Sequence, residues 1–219
     1  MDDKTVRAAT SEAAGDMLRL GGVCVYPTET YFGLGAGVFF PDALARVAAI
    51  KGRPSEKPLP LLAADLDQVQ GVLSASFAAS PGYADFMRLA GMFWPGPLSL
   101  VVPTRQELSP LVKDAKGRTS IRITPHPVAR ALCLAVKSPL AATSANPSGG
   151  RPTAWPAQLD RDLCARVDAV VLDPPLPAGG PASTVAVPEG GGRLVILRRG
   201  AVTDEALAGA GFVVTFSCP

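Results

Sequence analysis

Apolar and polar positions along this chain fall into short runs that switch between a helical and a strand period. Residues 5 to 20 repeat apolar positions at helical spacing and end at Gly21-Gly22, which predicts an amphipathic helix closed by glycine. Val23 to Tyr26 is an unbroken apolar run and predicts a short buried strand. In Pro41 to Ile50, Leu44, Val47 and Ala48 share one helical face. Lys51 lies a turn beyond Val47 on that face, and Gly52 and Pro54 then stop the helix. Leu59 to Ala63 predicts another buried strand, and Asp65 to Gly91 carries two helical patterns separated by Ser80-Pro81-Gly82. A rigid turn, Trp94-Pro95-Gly96-Pro97, hands the chain to a strand at Leu98 to Val102, with Trp94 read as a packing anchor.

The second half continues the alternation. Pro103 to Arg118 holds no period and predicts a polar loop. Thr119 to Ile123 alternates, so that Ile121 and Ile123 face one way and Arg122 the other. His126 to Val136 predicts a helix with Pro127 in its first turn. A strand at Pro139 to Ala142 delivers Thr143-Ser144-Ala145-Asn146 into a Gly/Pro loop. Leu159 to Val167 predicts a helix, Asp168 to Leu172 a strand, and Pro174 to Pro181 a mobile proline-glycine loop. Strands at Thr184 to Val187 and Leu194 to Arg198 flank the Gly190-Gly191-Gly192 turn. A short helix at Asp204 to Ala208 and a strand at Phe212 to Phe216 complete the pattern. Strands interleaved with helices predict one α/β domain over residues 1–219.

Composition narrows the function classes. At 219 residues the chain can bury a full core, and 47% hydrophobic with 18% charged residues excludes a disordered polymer. No apolar run reaches bilayer length, and Met1-Asp2-Asp3-Lys4 opens with acids rather than a signal-peptide core. The expectation is a cytoplasmic protein with no membrane partner. A net charge of +2 gives no bulk argument for nucleic-acid binding. Cys24, Cys133, Cys164 and Cys218 are far apart and form no metal knuckle. His126 is the sole histidine and no Gly-x-Ser-x-Gly elbow accompanies it, which argues against hydrolytic or histidine-metal chemistry.

The candidate chemistry is densest between Tyr26 and Pro58. The segment Tyr26-Pro27-Thr28-Glu29-Thr30-Tyr31-Phe32-Gly33-Leu34-Gly35 is a polar turn in which two threonines flank a carboxylate. Gly33, Gly35 and Gly37 have the wrong spacing for a dinucleotide fingerprint and are read as permissive backbone. Beyond the helix, Lys51, Arg53 and Lys57 follow closely, against the single anion Glu56. Such a cluster suits a polyphosphate, since guanidinium binds phosphate oxygens bidentately and ammonium acts as a point charge. A solvated basic loop is the competing reading of the same residues.

Six segments in order resemble the YrdC/TsaC family of threonylcarbamoyl-AMP synthases. These are Tyr-Pro-Thr-Glu-Thr with Lys51-x-Arg53-Pro54-x-x-Lys57-Pro58-Leu59, Trp94-Pro95-Gly96-Pro97-Leu98, Ile121-Arg122, Ser144-Ala145-Asn146-Pro147-Ser148-Gly149, Ser183-Thr184-Val185 and Ile196-Leu197-Arg198. The resemblance implies a twisted mixed sheet with helices enclosing a deep open cavity. It further implies synthesis of threonylcarbamoyl-AMP from L-threonine, bicarbonate or CO₂, and ATP, with release of pyrophosphate, for the threonylcarbamoyl-adenosine of tRNA. Mg²⁺ would accompany the nucleotide, with no metal site of the protein's own. A downstream threonylcarbamoyl transferase, and tRNA or double-stranded RNA, would be its partners.

By motif position, Lys51 and Arg53 would be catalytic on the ATP phosphates, acting on charge rather than on folding, with Lys57 adding positive charge. Asn146, Thr153 and Arg198 resemble nucleotide contacts, while Thr30, Arg122, Ser144 and Ser183 resemble the threonine site. Ordinary turn chemistry for Ser144 and Asn146, and a surface charge for Arg198, are the bland counterparts. Four departures from the family pattern stand out. Tyr31-Phe32 replaces Val-Tyr, Ser99 replaces a threonine, Leu62 falls where some relatives carry histidine, and the Gly149-Gly150-Arg151 stretch shifts the alignment of Thr153. Two other functions are compatible with the residues: a carbamoyl-adenylate-forming enzyme of the same type, and a non-catalytic RNA-binding module with a basic concave surface.

Overall fold

The computed structural model describes residues 7–52 and 57–216. In chain order the first half contains β1 (Ala8–Ala9), α1 (Ser11–Arg19), β2 (Cys24–Pro27), β3 (Phe32–Gly37), α2 (Pro41–Lys51), β4 (Leu61–Ala63), α3 (Leu66–Gln70), α4 (Pro81–Phe93) and β5 (Leu98–Pro103). The second half contains β6 (Arg118–Ile123), α5 (Pro127–Val136), β7 (Leu140–Ser144), α6 (Arg161–Cys164), β8 (Ala169–Val171), β9 (Thr184–Gly190), β10 (Arg193–Arg198), α7 (Asp204–Gly209) and β11 (Val213–Phe216). Among the described residues the strands form one mixed sheet of 11, ordered β1-β8-β2-β3-β7-β4-β6-β5-β9-β10-β11. The α/β reading therefore holds. None of the described helices is long and apolar enough to cross a membrane.

Two apolar clusters sandwich the sheet. Ala14 and Leu18 of α1 and Val128, Ala129 and Leu132 of α5 pack with Tyr26, Leu62 and Leu140 on one side. Leu44, Val47 and Ile50 of α2 and Phe86 and Leu89 of α4 join the larger cluster. Fully burying each such side chain contributes roughly 1.5–3 kcal/mol. Trp94 meets the ring of Phe86 edge-on at 5.6 Å, and its indole N–H donates to the Leu98 carbonyl at 2.6 Å. It is an anchor, as its place in the proline-glycine turn suggests.

Several elements differ from the periodic reading, each for a local reason. The first helix begins only at Ser11, where the Thr10 hydroxyl accepts from the Ala13 N–H; residues 8–9 pair instead with Val170 and Val171. Residues 5 and 6 of the expected helix lie outside the described residues. Ser80-Pro81-Gly82 lies between α3 and α4 as expected but also opens α4, because Pro81 takes the first helical position, where its missing N–H costs nothing. The helix expected over 159–167 shrinks to Arg161–Cys164, capped by the Asp160 carboxylate on the Leu163 N–H. The glycines of β3 serve proximity, not backbone freedom. None of Gly33, Gly35 and Gly37 has positive φ, but a Cβ on Gly35 would lie 2.0 Å from the Ala141 carbonyl oxygen. That spacing lets β3 close onto β7, with Gly33 opposite Ser144.

Candidate active site

Strand register brings the chemistry to one face. The Thr30–Phe32 turn, the end of α2, β4, β6, β7, β9 and β10 together line a cavity of about 530 Å³. Its wall includes Thr30, Tyr31, Lys51, Lys57, Leu62, Ser99, Arg122, Ser144, Asn146, Ser183 and Arg198. That size lies within the range for ligand pockets.

Lys51 enters as the last residue of α2, which ends at Gly52 in the left-handed conformation, φ 59°. It is buried, and its ammonium donates to Ser144 O at 2.7 Å, Ser144 Oγ at 3.0 Å and Asn146 Oδ1 at 3.2 Å. The Asn146 amide also donates to Pro147 O and Gly150 O, so it shapes its loop while lining the cavity. Lys51 therefore organises the Ser144–Asn146 loop as well as bringing charge. These bonds give Lys51 a structural role beside the one expected on ATP charge. Replacing it by alanine would strand buried acceptors, at about 1–3 kcal/mol of stability. Lys57 stands exposed at the rim. Arg53 lies outside the described residues.

Arg122 projects from β6 on the face opposite Ile121 and Ile123, as the alternation requires. It pairs with Glu29 at 2.5 Å, and the other Glu29 oxygen accepts from the Thr124 hydroxyl at 3.0 Å. Burial makes the guanidinium less basic than usual, and the Glu29 carboxylate opposes that shift. One arm of the expected carboxylate fork is thus ion-paired, although among the described residues neither Arg122 Nη1 nor Glu29 Oε1 has a hydrogen-bond partner of good geometry. Arg198, on β10, donates to Ser183 O at 2.8 Å and to Ser183 Oγ at 3.1 Å. Burial and repulsion from Arg122 both lower its basicity, so the two guanidinium groups face a common region. An anion between them would relieve that repulsion.

Not every expected site residue arrives. Thr153 is buried outside the cavity wall, with its hydroxyl on Gln158 and on the Trp155 N–H. Its backbone carbonyl accepts from the Phe32 N–H, which tethers β3. The 174–181 loop is held at several points. Ala178 and Gly179 donate to the carbonyls of Glu29 and Thr30, the Tyr31 hydroxyl donates to Gly180 O at 2.6 Å, and His126 Nε2 lies 3.0 Å from Pro175 O. The tyrosine hydroxyl expected one position later is thereby relocated to the loop, while Phe32 enters the core. Glu29 and Ser99 are two polar residues that sequence reasoning left without a role. The signals were present: Glu29 is the one acid of its motif, and Ser99 alternates with apolar Leu98 and Leu100.

The sequence model of the Sua5/YciO/YrdC family, described as telomere recombination, matches residues 16–200. The chain belongs to the Sua5/YciO/YrdC family. Within it, the threonylcarbamoyl-AMP synthase of Halorhodospira halophila is 39% identical over 166 residues, covering 76% of this chain and 81% of that protein. The Bacillus subtilis protein of that name is 33% identical over 193 residues; the match covers 88% of this chain and 54% of the relative. P. abyssi Sua5, solved in complex with L-threonine, superposes with a TM-score of 0.81 at 28% identity. That match covers 94% of this chain and 58% of the archaeal one, so the chain spans little more than half of that relative.

Proposed function

We propose that this chain synthesises threonylcarbamoyl-AMP from L-threonine, bicarbonate or CO₂, and ATP. The observation that carries the reading is the convergence on one cavity of Lys51, Arg122 and Arg198 with the hydroxyls of Thr30, Ser144 and Ser183. Relatives that carry the synthase name, and a relative solved with L-threonine, support it. Threonine's amine, once deprotonated, adds to CO₂ to give a carbamate. A carbamate oxygen then attacks the α-phosphorus, the α–β bridging P–O bond breaks, and pyrophosphate leaves. Such a transfer needs placement and charge neutralisation rather than a protein nucleophile. Lys51, Lys57 and Arg198 are assigned to the nucleotide end, while Arg122 and the hydroxyls are assigned to threonine.

Mg²⁺ would come with the nucleotide. Among the described residues no three His, Cys, Asp or Glu side chains are placed to hold a metal, and Glu29 is engaged by Arg122 and Thr124. The donor set therefore fits an ion that takes phosphate oxygens and keeps several waters. The ion would neutralise charge on the leaving pyrophosphate. The product is an activated carbamoyl donor, consumed by a downstream transferase that modifies tRNA.

The test is mass spectrometry of the products formed from ATP, threonine and bicarbonate. Threonylcarbamoyl-AMP with stoichiometric, threonine-dependent pyrophosphate is the expected outcome. Pyrophosphate release that ignores threonine and instead requires carbamoyl phosphate would replace the proposal with carbamoyl-adenylate formation. Salt-sensitive tRNA binding without nucleotide turnover would replace it with an RNA-binding role.

A further inference from the structure

Three strands place a relay beside the cavity. Ser99 on β5 and Arg198 on β10 both sit opposite Val185 of β9, and Ser183 immediately precedes that strand. Ser99 Oγ lies 3.0 Å from Ser183 Oγ, and Arg198 Nη2 donates to the same Ser183 oxygen at 3.1 Å. Ser99 is 4% exposed and Ser183 is partly open. Either hydroxyl could donate in this contact, and the greater burial of Ser99 favours Ser99 as the donor. Among the described residues Ser183 is the hydrogen-bond partner of the Ser99 side chain. Were Ser183 the donor, the more deeply buried Ser99 O–H would have to find its acceptor in the cavity that Ser99 also lines. With Ser99 donating, every O–H is accommodated.

We infer that Ser99 is a positioning residue that, with Arg198, fills both acceptor sites of Ser183 and makes that hydroxyl an obligate donor to an anionic oxygen of the ligand. A hydroxyl has one proton and two lone pairs. Ser99 and Arg198 occupy the pairs, so the remaining Ser183 proton points into the cavity. Donation from the Arg198 cation polarises Ser183 and strengthens its outgoing bond. The group facing Ser183 must therefore accept: a carboxylate, carbamate or phosphate oxygen, not an ammonium. Arg122 and Arg198, which repel across this region, favour the same kind of group. This deepens the synthase reading and rests on it for the identity of the anion. It also gives a role to a position where serine stands for the family's usual threonine, since either residue supplies the hydroxyl.

Ser99→Thr and Ser99→Val form the discriminating pair, because they match in shape and differ in the hydroxyl. The Thr variant should keep near-parental behaviour. The Val variant should lose about tenfold to a hundredfold, the scale of one charge-assisted hydrogen bond. Calorimetric binding of L-threonine and of ATP is read beside steady-state pyrophosphate release, with melting temperature monitored for both proteins. If Ser183 donates to threonine's carboxylate, the loss appears in threonine affinity and shrinks when L-threonine amide is the ligand. If it donates to a phosphate or carbamate oxygen, the loss appears in ATP affinity or in kcat and threonine affinity holds. Thr and Val variants alike in both affinities and in kcat would overturn the inference. A parental protein that makes no threonylcarbamoyl-AMP would sink the synthase reading separately, and the binding data would still decide on Ser183.

Discussion

Arg122 and Arg198 line the same cavity under opposite physical terms. Arg122 is largely buried and held by a carboxylate, with Glu29 itself braced by Thr124. Arg198 is partly exposed and rests on neutral oxygens of Ser183; among the described residues it forms no ion pair. Burying a charge is tolerable only when it is paired, so Arg122 is a fixed, neutralised element of the wall. Arg198 keeps its positive charge available to a ligand. The contrast shows that a cation's role depends on what already compensates it. Arg122 provides geometry, whereas Arg198 provides field.

The largest expected effect comes from breaking the buried pair. Arg122→Ala should lower unfolding stability by about 3–5 kcal/mol, because Glu29 is left charged and unpaired. It should also weaken threonine by about 2–5 kcal/mol. Arg122→Lys should rescue poorly, since lysine lacks the planar fork, and should weaken threonine and serine alike while sparing ATP. Denaturant midpoints and KM values for both amino acids read this out. An unchanged threonine KM with a steeply raised ATP KM would move Arg122 to the nucleotide.

Glu29→Gln sharpens the comparison from the other side. It keeps shape but leaves the guanidinium uncompensated, at about 1–3 kcal/mol of stability. The double variant Glu29→Gln/Arg122→Met should be more stable than Arg122→Met alone and remain inactive, because no lone buried charge persists. A double variant no more stable than that single would mean that the pair is not the stabilising unit.

Arg198→Ala should change stability by no more than about 0.5 kcal/mol, as at an exposed position. Turnover should fall by about a hundredfold, the scale of one preorganised donor. A large stability loss would erase the distinction between the two arginines.

The smallest expected effect is a pH response at His126. Burial lowers its basicity despite the Pro175 carbonyl and nearby Glu29, and its Nδ1 has no hydrogen-bond partner among the described residues. A lowered folded pKa means that the unfolded chain binds the extra proton more readily. Stability should therefore decline as pH falls through the unfolded histidine value, about 6.5. The contact to Pro175 O opposes the loss, because the protonated ring still donates from Nε2 to that carbonyl; the penalty falls on the buried Nδ1, which would carry the added proton. His126→Gln should flatten that dependence; an unaltered profile would exclude His126 as its source.

Much of this molecule was legible one element at a time. The period of Leu44, Val47 and Lys51 located α2 and its buried cation, and the alternation of Thr119 to Ile123 turned Arg122 away from the core. These signals are local, because side-chain direction repeats every 3.6 or 2 residues whatever lies elsewhere. The glycines of β3 were visible as residues but not as a reason. For Gly35 that reason, the Ala141 backbone, is more than a hundred positions away.

Partnership was decided by the tertiary structure alone. Ser99 meets Ser183 across 84 residues, Glu29 meets Thr124 across 95, and Lys51 reaches Ser144 across 93. No periodicity spans such separations, because register between distant strands depends on the packing of the whole sheet. The sequence by itself determined which elements form, which faces they bury and which family motifs they carry. Only the assembled sheet decided that one arginine of the cavity would be neutralised while the other would hold a serine hydroxyl, since burial and hydrogen-bond geometry exist only after distant strands are paired.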